Sequence, residues 1–425
     1  MRILRQGSTG PAVQQLQLAL NRAGFGPLVK DGIFGNATRD ALSRFQESRG
    51  LVPDGVAGTL THQRLLPWYV GYVVHRISPG DTFGKLASEF GVGIEAIRTA
   101  NPDADELNLR PGAPLVIPLP FDVVPTDIAW SSALVEYCVR GLSARYPFLR
   151  TEEIGKSVMG RSIWSMTLGH GANRVMYNAS HHANEWITTP LLFKFTEELS
   201  AASASGGTIF GISAANILAY ASIRVVPAVN PDGIDLVTGE LTSGRFYDAA
   251  SKIAAQYAQF SFPSGWKANI SGVDLNLQYP AGWEQAREIK YAQGIVSPAP
   301  ADFVGEAVLS APESRAMYED TKKFDPALVL AYHTQGEVIY WRFLDYMPVG
   351  SADIARVFSS VSGYSAEETP YASGFAGYKD WFIQDFNRPG YTIEAGLGVN
   401  PLPIEQFDGI YRQNLGILTL GAVLT

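Results

Sequence analysis

From about residue 126 onward, short apolar runs alternate with longer stretches in which apolar side chains recur every three or four positions. The runs at 174–179, 223–229, 327–332, 338–341 and 391–395 are brief and rich in β-branched and aromatic residues, which predicts buried strands. Between them, 129–143, 186–200, 248–260, 312–324 and 351–361 carry the spacing of helices that bury one face. Such alternation predicts an α/β domain, a sheet sandwiched by helices, with its chemistry in loops at strand ends.

The first 120 residues have a different grain. Val13, Leu16 and Leu20 share one helical face, and Ala41, Leu42 and Phe45 share another. DGIFG at 31–35 is echoed by DGVAG at 54–58, two turns whose glycines supply the positive φ that other residues resist. Residues 1–67 therefore predict a small helical module. Their wording, from GSTGPAVQQLQLALNRAGF to LVPDGVAGTLT, resembles the peptidoglycan-binding type 1 family. In 71–118 a β-rich stretch (Tyr72, Val73, Val74, Ile77) meets the turn Ser78-Pro79-Gly80, and Asp81-Thr82 then offers a helix cap. A second helical segment follows at 94–100, and the stretch ends on the apolar run at 115–118. That βααβ order, with SPGDTF, ANPDAD and LRPGAPLVIP, resembles a LysM module, a resemblance that implies binding of N-acetylglucosamine-containing glycans such as peptidoglycan. His62 and His75 lie in these modules as packing or surface residues, and 119–126 reads as a proline-punctuated linker.

Composition narrows the partners. At 425 residues the chain predicts two or three domains. No apolar run approaches the roughly 18–20 residues of a membrane span, so no membrane partner is expected. The opening MRILRQGSTG lacks an apolar signal segment, giving the expectation of a cytoplasmic protein, sporulation-related or released by lysis, that associates with the wall. A net charge of −8 without a basic stripe argues against nucleic acid. The single cysteine, Cys138, excludes an internal disulfide.

The densest chemistry is RVMYNASHHANEWITTP at 174–190, where His182 and Glu185 stand at i and i+3. An imidazole and a carboxylate so spaced can grip one metal ion from a single turn. Farther along come Asn230 to Gly233 (NPDG), GVDLN at 272–276, His333 in LAYHTQGE and Glu394 in GYTIEAG. A carboxylate inside the apolar run around Ile393 has to be paired or put to use. Together, over nearly all of 127–425, these pieces resemble the zinc carboxypeptidase family, in the family's order. The resemblance implies a mixed central sheet flanked by helices and one Zn²⁺ held by His182, Glu185 and His333, with Glu394 as general base. His181 is the rival to His182, and the EWIT that follows favours His182. The resemblance also makes Asp274 the residue that orients a ligand histidine, and Asn276 a substrate contact. Tyr371 matches the mobile tyrosine over the substrate, with Tyr378 as its alternative. Asn184 stands where the family often has arginine inside HxxE and is assigned to substrate binding. No HExxH occurs, which excludes a helix-borne zincin site.

Three departures bear on specificity. Leu277 occupies the place of the arginine that clamps a terminal carboxylate, and leucine donates no hydrogen bond. Asn184 is the second. The family's oxyanion-stabilising arginine has no direct counterpart, and Lys267 is the nearest cation by position, with Arg245 as the other candidate. With GVDLNLQYPAGWE and HTQGEVIYW, the chain resembles the branch that cleaves γ-D-glutamyl-meso-diaminopimelate bonds in peptidoglycan stem peptides. Arg315, Arg342, Lys379 and Arg388 all remain open as partners for substrate carboxylates. Two other readings stand beside this one: a carboxypeptidase trimming wall peptides, and a non-catalytic wall-binding protein.

Overall fold

The computed structural model describes residues 2–424. Contacts divide them into a unit ending at Arg150 and a unit beginning at Thr151.

In the first unit, helices Pro11–Arg22, Asn36–Ser48 and Thr59–Val70 surround a core containing Leu16, Leu20, Leu42 and Phe45. The sequence echo is a structural one. Gln17 Nε2 donates to the carboxylate of Asp31, to Ile33 O and to Thr38 Oγ1, while its Oε1 accepts from Gly32 N. Gln46 repeats every contact with Asp54, Val56 O, Thr61 and Gly55 N. Each glutamine thus stitches an Asp-Gly turn whose glycine sits at φ 72° or 68°. Tyr72–Arg76 and Pro114–Pro118 then pair antiparallel around helices Phe83–Phe90 and Ile94–Ala100, the βααβ module the sequence predicts. Asn101 closes it, donating to Ile97 O and Val116 O and accepting from Val116 N. His62 is a packing residue, hydrogen-bonded to Tyr69 Oη and Arg2 O, and His75 pairs with Asp81.

Helix Ser132–Arg145 also lies in the first unit. The reason is packing: Tyr137 stacks on Tyr69 at 5.0 Å, and Gln15 donates to Ser131 Oγ just ahead of the helix.

The second unit is built on an eight-stranded sheet. Its order is Ser365–Glu367, Val338–Tyr340, Gly390–Glu394, Leu328–His333, Asn173–Ala179, Ala221–Val226, Ser162–Leu168, Arg150–Lys156. The four central strands run parallel and are flanked by antiparallel neighbours, so the sheet is mixed. Central parallel strands are covered on both faces, which is why Ala221–Val226 and Leu328–His333 are buried at every position. Adjacent residues show the two layers. Met176 meets Thr321 and Tyr378 of helices Pro312–Phe324 and Tyr378–Phe386, whereas Tyr177 Oη reaches Leu418 O of helix Phe407–Leu420. The sequence reading overlooked Arg150–Lys156, a polar RTEEIGK strand at the sheet edge, for which hydrophobic periodicity gives no signal. It also began a helix at 186, where the chain first makes a 3₁₀ turn at Ala183–Glu185 and then the helix Thr188–Ser205.

A histidine–glutamate cluster at the ends of parallel strands

The site gathers where parallel strands end, the usual place for it in an open α/β sheet. Asn173–Ala179 runs into the loop bearing His181 and His182, and Leu328–His333 ends on His333. Glu394, last in Gly390–Glu394, lies directly across the ladder from His333. The 3₁₀ turn explains the His182/Glu185 spacing. With about three residues per turn, side chains at i and i+3 eclipse, which aims both into one point. Asn230 locks the loop from behind, donating to His181 O and Ala268 O and accepting from Gly233 N. Asn230 and Gly233 of NPDG therefore act as scaffold.

His182, Glu185 and His333 each offer one ligand atom, and these atoms lie within 4.8 Å of one another. His182 Nδ1 stands 3.0 Å from Glu185 Oε1 and 3.1 Å from His333 Nδ1, while His333 Nδ1 stands 2.8 Å from Glu185 Oε2. His182 Nε2 faces Asp274 Oδ1 at 3.1 Å. A carboxylate there keeps the proton on Nε2 and leaves the Nδ1 lone pair turned into the cluster. The donor set suits zinc: two imidazoles and one carboxylate, buried, with room for a fourth ligand.

Electrostatics agree with that fit. Burial by itself would lower the His182 pKa, but the charges of Glu185 and Asp274 outweigh it and raise it to about 9. Burial would likewise raise Glu185, yet His182, Lys267 and His333 hold it well below the ordinary carboxylate range. The cluster therefore attracts positive charge, and a metal ion would take the place of a proton. His181 is not part of it. Its Nε2 bonds Tyr279 Oη at 2.9 Å, and burial holds its pKa well below the usual value, so it is a neutral packing histidine.

A cavity of about 530 Å³ opens over the cluster. Its wall includes Lys267, Asp274, Asn276, Leu277, Tyr340 and Glu394. Glu394 has no hydrogen-bond or ion-pair partner among the described residues, and its carboxyl is raised above the ordinary range, chiefly by burial and further by the Glu185 charge. Lys267 Nζ lies 3.2 Å from Glu185 Oε1, and although burial would lower its pKa, Glu185, Asp274 and Glu394 keep it firmly protonated. Asn276 Oδ1 accepts from Tyr378 N at 2.9 Å, fixing the amide on the wall.

Other expectations fall elsewhere. Asn184 is 5% exposed with Oδ1 unbonded and does not line the cavity. Tyr371 is 65% exposed and packs edge-on to Phe375, next to the wall residues Pro370 and Ser373. Tyr378, its alternative, is fully buried. Arg245 is not on the wall. Arg315 is spent on Leu309 O, Arg342 on Glu368 and Arg388 on Asp325, so of the four open cations only Lys379 reaches the cavity. The sequence reading missed Lys290 and Asp302, both wall residues, because the proline-rich loop around Asp302 carries no periodic signal.

Residues 135–415 match the family described as zinc carboxypeptidase, 9–65 a peptidoglycan binding domain, and 75–118 the LysM domain. Gamma-D-glutamyl-L-diamino acid endopeptidase 1 of Lysinibacillus sphaericus is 45% identical over 289 residues, spanning 67% of this chain and 70% of that protein. Among solved structures, bovine thrombin-activatable fibrinolysis inhibitor in complex with tick carboxypeptidase inhibitor aligns at TM-score 0.53 and 15% identity, over 70% of this chain and 97% of that one. Carboxypeptidase A from Helicoverpa armigera aligns at TM-score 0.52 and 16% identity, over 92% of this chain and 88% of that one. At such identities the structural likeness concerns the fold.

Proposed function

The chain belongs to the zinc carboxypeptidase family, and on that footing we propose that it cuts peptidoglycan stem peptides between γ-D-glutamate and the diamino acid. It is a zinc metallopeptidase with peptidoglycan-binding modules at its N-terminal end, which points to association with the cell wall. The observation that carries the reading is the meeting of His182, Glu185 and His333 beside Glu394, whose carboxylate has no hydrogen-bond partner among the described residues. Leu277 on the same wall favours a substrate held by something other than a clamped terminal carboxylate.

In this reading His182, Glu185 and His333 hold one Zn²⁺. Zinc, when bound, supplies Lewis acidity, polarising the scissile carbonyl and making water acidic enough to lose a proton near neutral pH. Glu394 takes that proton on its carboxylate and passes it to the leaving amine, and its raised pKa suits both halves of the transfer. Lys267 brings a fixed positive charge to the carbonyl oxygen as negative charge develops there. Asp274 holds the His182 ring in register, Asn276 contacts the substrate, and Tyr371 at the cavity rim covers it. The N-terminal modules bind N-acetylglucosamine-containing glycan and so raise the local concentration of stem peptides, an avidity effect that needs no new catalytic contact.

Incubation with defined muropeptides, with and without chelator, tests this by mass spectrometry. The expected products are an Ala-Glu fragment and a fragment beginning at the diamino acid, lost on chelation and restored by Zn²⁺. Release of single C-terminal amino acids instead would establish the carboxypeptidase reading.

A further inference from the structure

We propose that Lys290 receives a substrate carboxylate beside the scissile bond, with Asp302 as its positioning residue. The inference rests on the stem-peptide reading for the identity of the substrate. Three lysines line the cavity: Lys267, Lys290 and Lys379. Lys379 is spent. Its ammonium donates to Arg342 O at 2.8 Å and Thr369 Oγ1 at 2.9 Å and pairs with Asp380 at 2.6 Å, with the side chain 3% exposed. Lys267 is committed to Glu185 within the ligand cluster. Lys290 has one partner among the described residues, the carboxylate of Asp302 at 2.6 Å, and its side chain is only 11% exposed. An ammonium carries three donors, so a single carboxylate partner leaves Lys290 with donors to spare at the cavity wall, which a bound anion would satisfy.

Asp302 links this cation to the reaction centre. It sits at φ 68°, a left-handed conformation that aspartate tolerates better than most residues. That conformation lets its N–H donate to Asp274 Oδ2 at 3.1 Å while its carboxylate holds Lys290. Asp274 Oδ1 in turn faces His182 Nε2. Lys290 is therefore only two residues removed from a proposed zinc ligand, and a carboxylate on it lies near the reacting bond. A γ-glutamyl link leaves the glutamyl α-carboxylate free on one side, and the diamino acid can carry a carboxylate on the other. Either offers the same chemistry to Lys290, and Leu277 offers neither a partner.

The test uses the zinc-loaded full chain and three synthetic stem peptides: one with both carboxylates, one amidated at the glutamyl α-carboxylate, and one amidated at the diamino-acid carboxylate. Lys290→Met should raise KM for the first peptide by roughly 10- to 100-fold, the range for loss of one charge-assisted hydrogen bond, with kcat within about threefold. Lys290→Arg should restore most of the loss, and Asp302→Asn should give a smaller KM increase. The Lys290→Met penalty should vanish on one amidated peptide, and which one identifies the carboxylate. An unchanged KM, or an equal penalty on all three peptides, overturns the proposal. Calorimetric binding of the first peptide to Glu394→Gln, with and without Lys290→Met, reads the contact whichever bond the enzyme cuts. Product masses that contradict γ-glutamyl cleavage therefore do not decide it. Thermal unfolding shows whether each variant is folded, and Lys290→Gln replaces Lys290→Met if the latter is not.

Discussion

Two clusters of buried polar side chains, one in each unit, have opposite characters. Around Gln17 and Gln46 the amide donors and acceptors are engaged by partners of the same module, and each network closes on itself. Around His182 the polar groups crowd together and still leave business unfinished. His333 Nε2 is buried without a hydrogen bond, the Glu394 carboxylate has no hydrogen-bond partner among the described residues, and three potential ligand atoms turn toward one point. The difference teaches how to read a buried polar group. A group satisfied locally rigidifies a fold, whereas several polar groups crowded together at a cavity wall are arranged for something not part of the chain.

The sharpest way to break the comparison is to disturb each cluster and ask what is lost. Glu394→Gln should reduce kcat by about 10²–10⁴-fold, the usual contribution of general acid–base catalysis, while zinc content measured by atomic absorption stays near one per chain. His333→Ala should instead lose zinc and activity together. Retained activity in Glu394→Gln would remove the base assignment.

Next in size, Gln46→Ala strips Gly55 N of its acceptor and removes the donor shared by Asp54, Val56 O and Thr61, so the N-terminal unit should lose roughly 2–3 kcal/mol in denaturant titration. Turnover of a small soluble peptide should not change. A matching loss of kcat would show that the two clusters are not the separate kinds described.

The last prediction concerns a buried acid of the second unit, Glu313, which accepts from Val158 N and Asn269 Nδ2 and is pushed up to about 7 mainly by burial. Its folded-state pKa lies above the unfolded value of about 4.3, so its contribution is full below that value and is lost as pH rises toward 7. Thermal unfolding of the second unit should therefore weaken across that window, and Glu313→Gln should flatten the slope. An unaltered slope in the variant would clear Glu313 of the effect.

Much of the site was legible before any coordinates. HHANE and the glutamate inside an apolar strand stand out by themselves, a polar cluster at a strand end and a charged group where the pattern calls for a hydrocarbon, whereas GVDLN and the histidine after LAY gain their roles from the family resemblance. Asn184 misled because its sequence neighbours are functional, yet the 3₁₀ turn that brings His182 and Glu185 together leaves it off the cavity wall.

The sequence alone determined the alternation of strands and helices, the two Asp-Gly turns and the His182/Glu185 pair, because these depend on local periodicity, backbone preference and side-chain chemistry, and the family resemblance added His333 and Glu394 to the site. The tertiary structure decided which distant groups face one another. Ladder register sets Glu394 against His333, and the placing of three lysines around one cavity leaves Lys290 with a donor to spare. Such meetings depend on packing between segments that are separate in the chain, for which no local pattern holds a record.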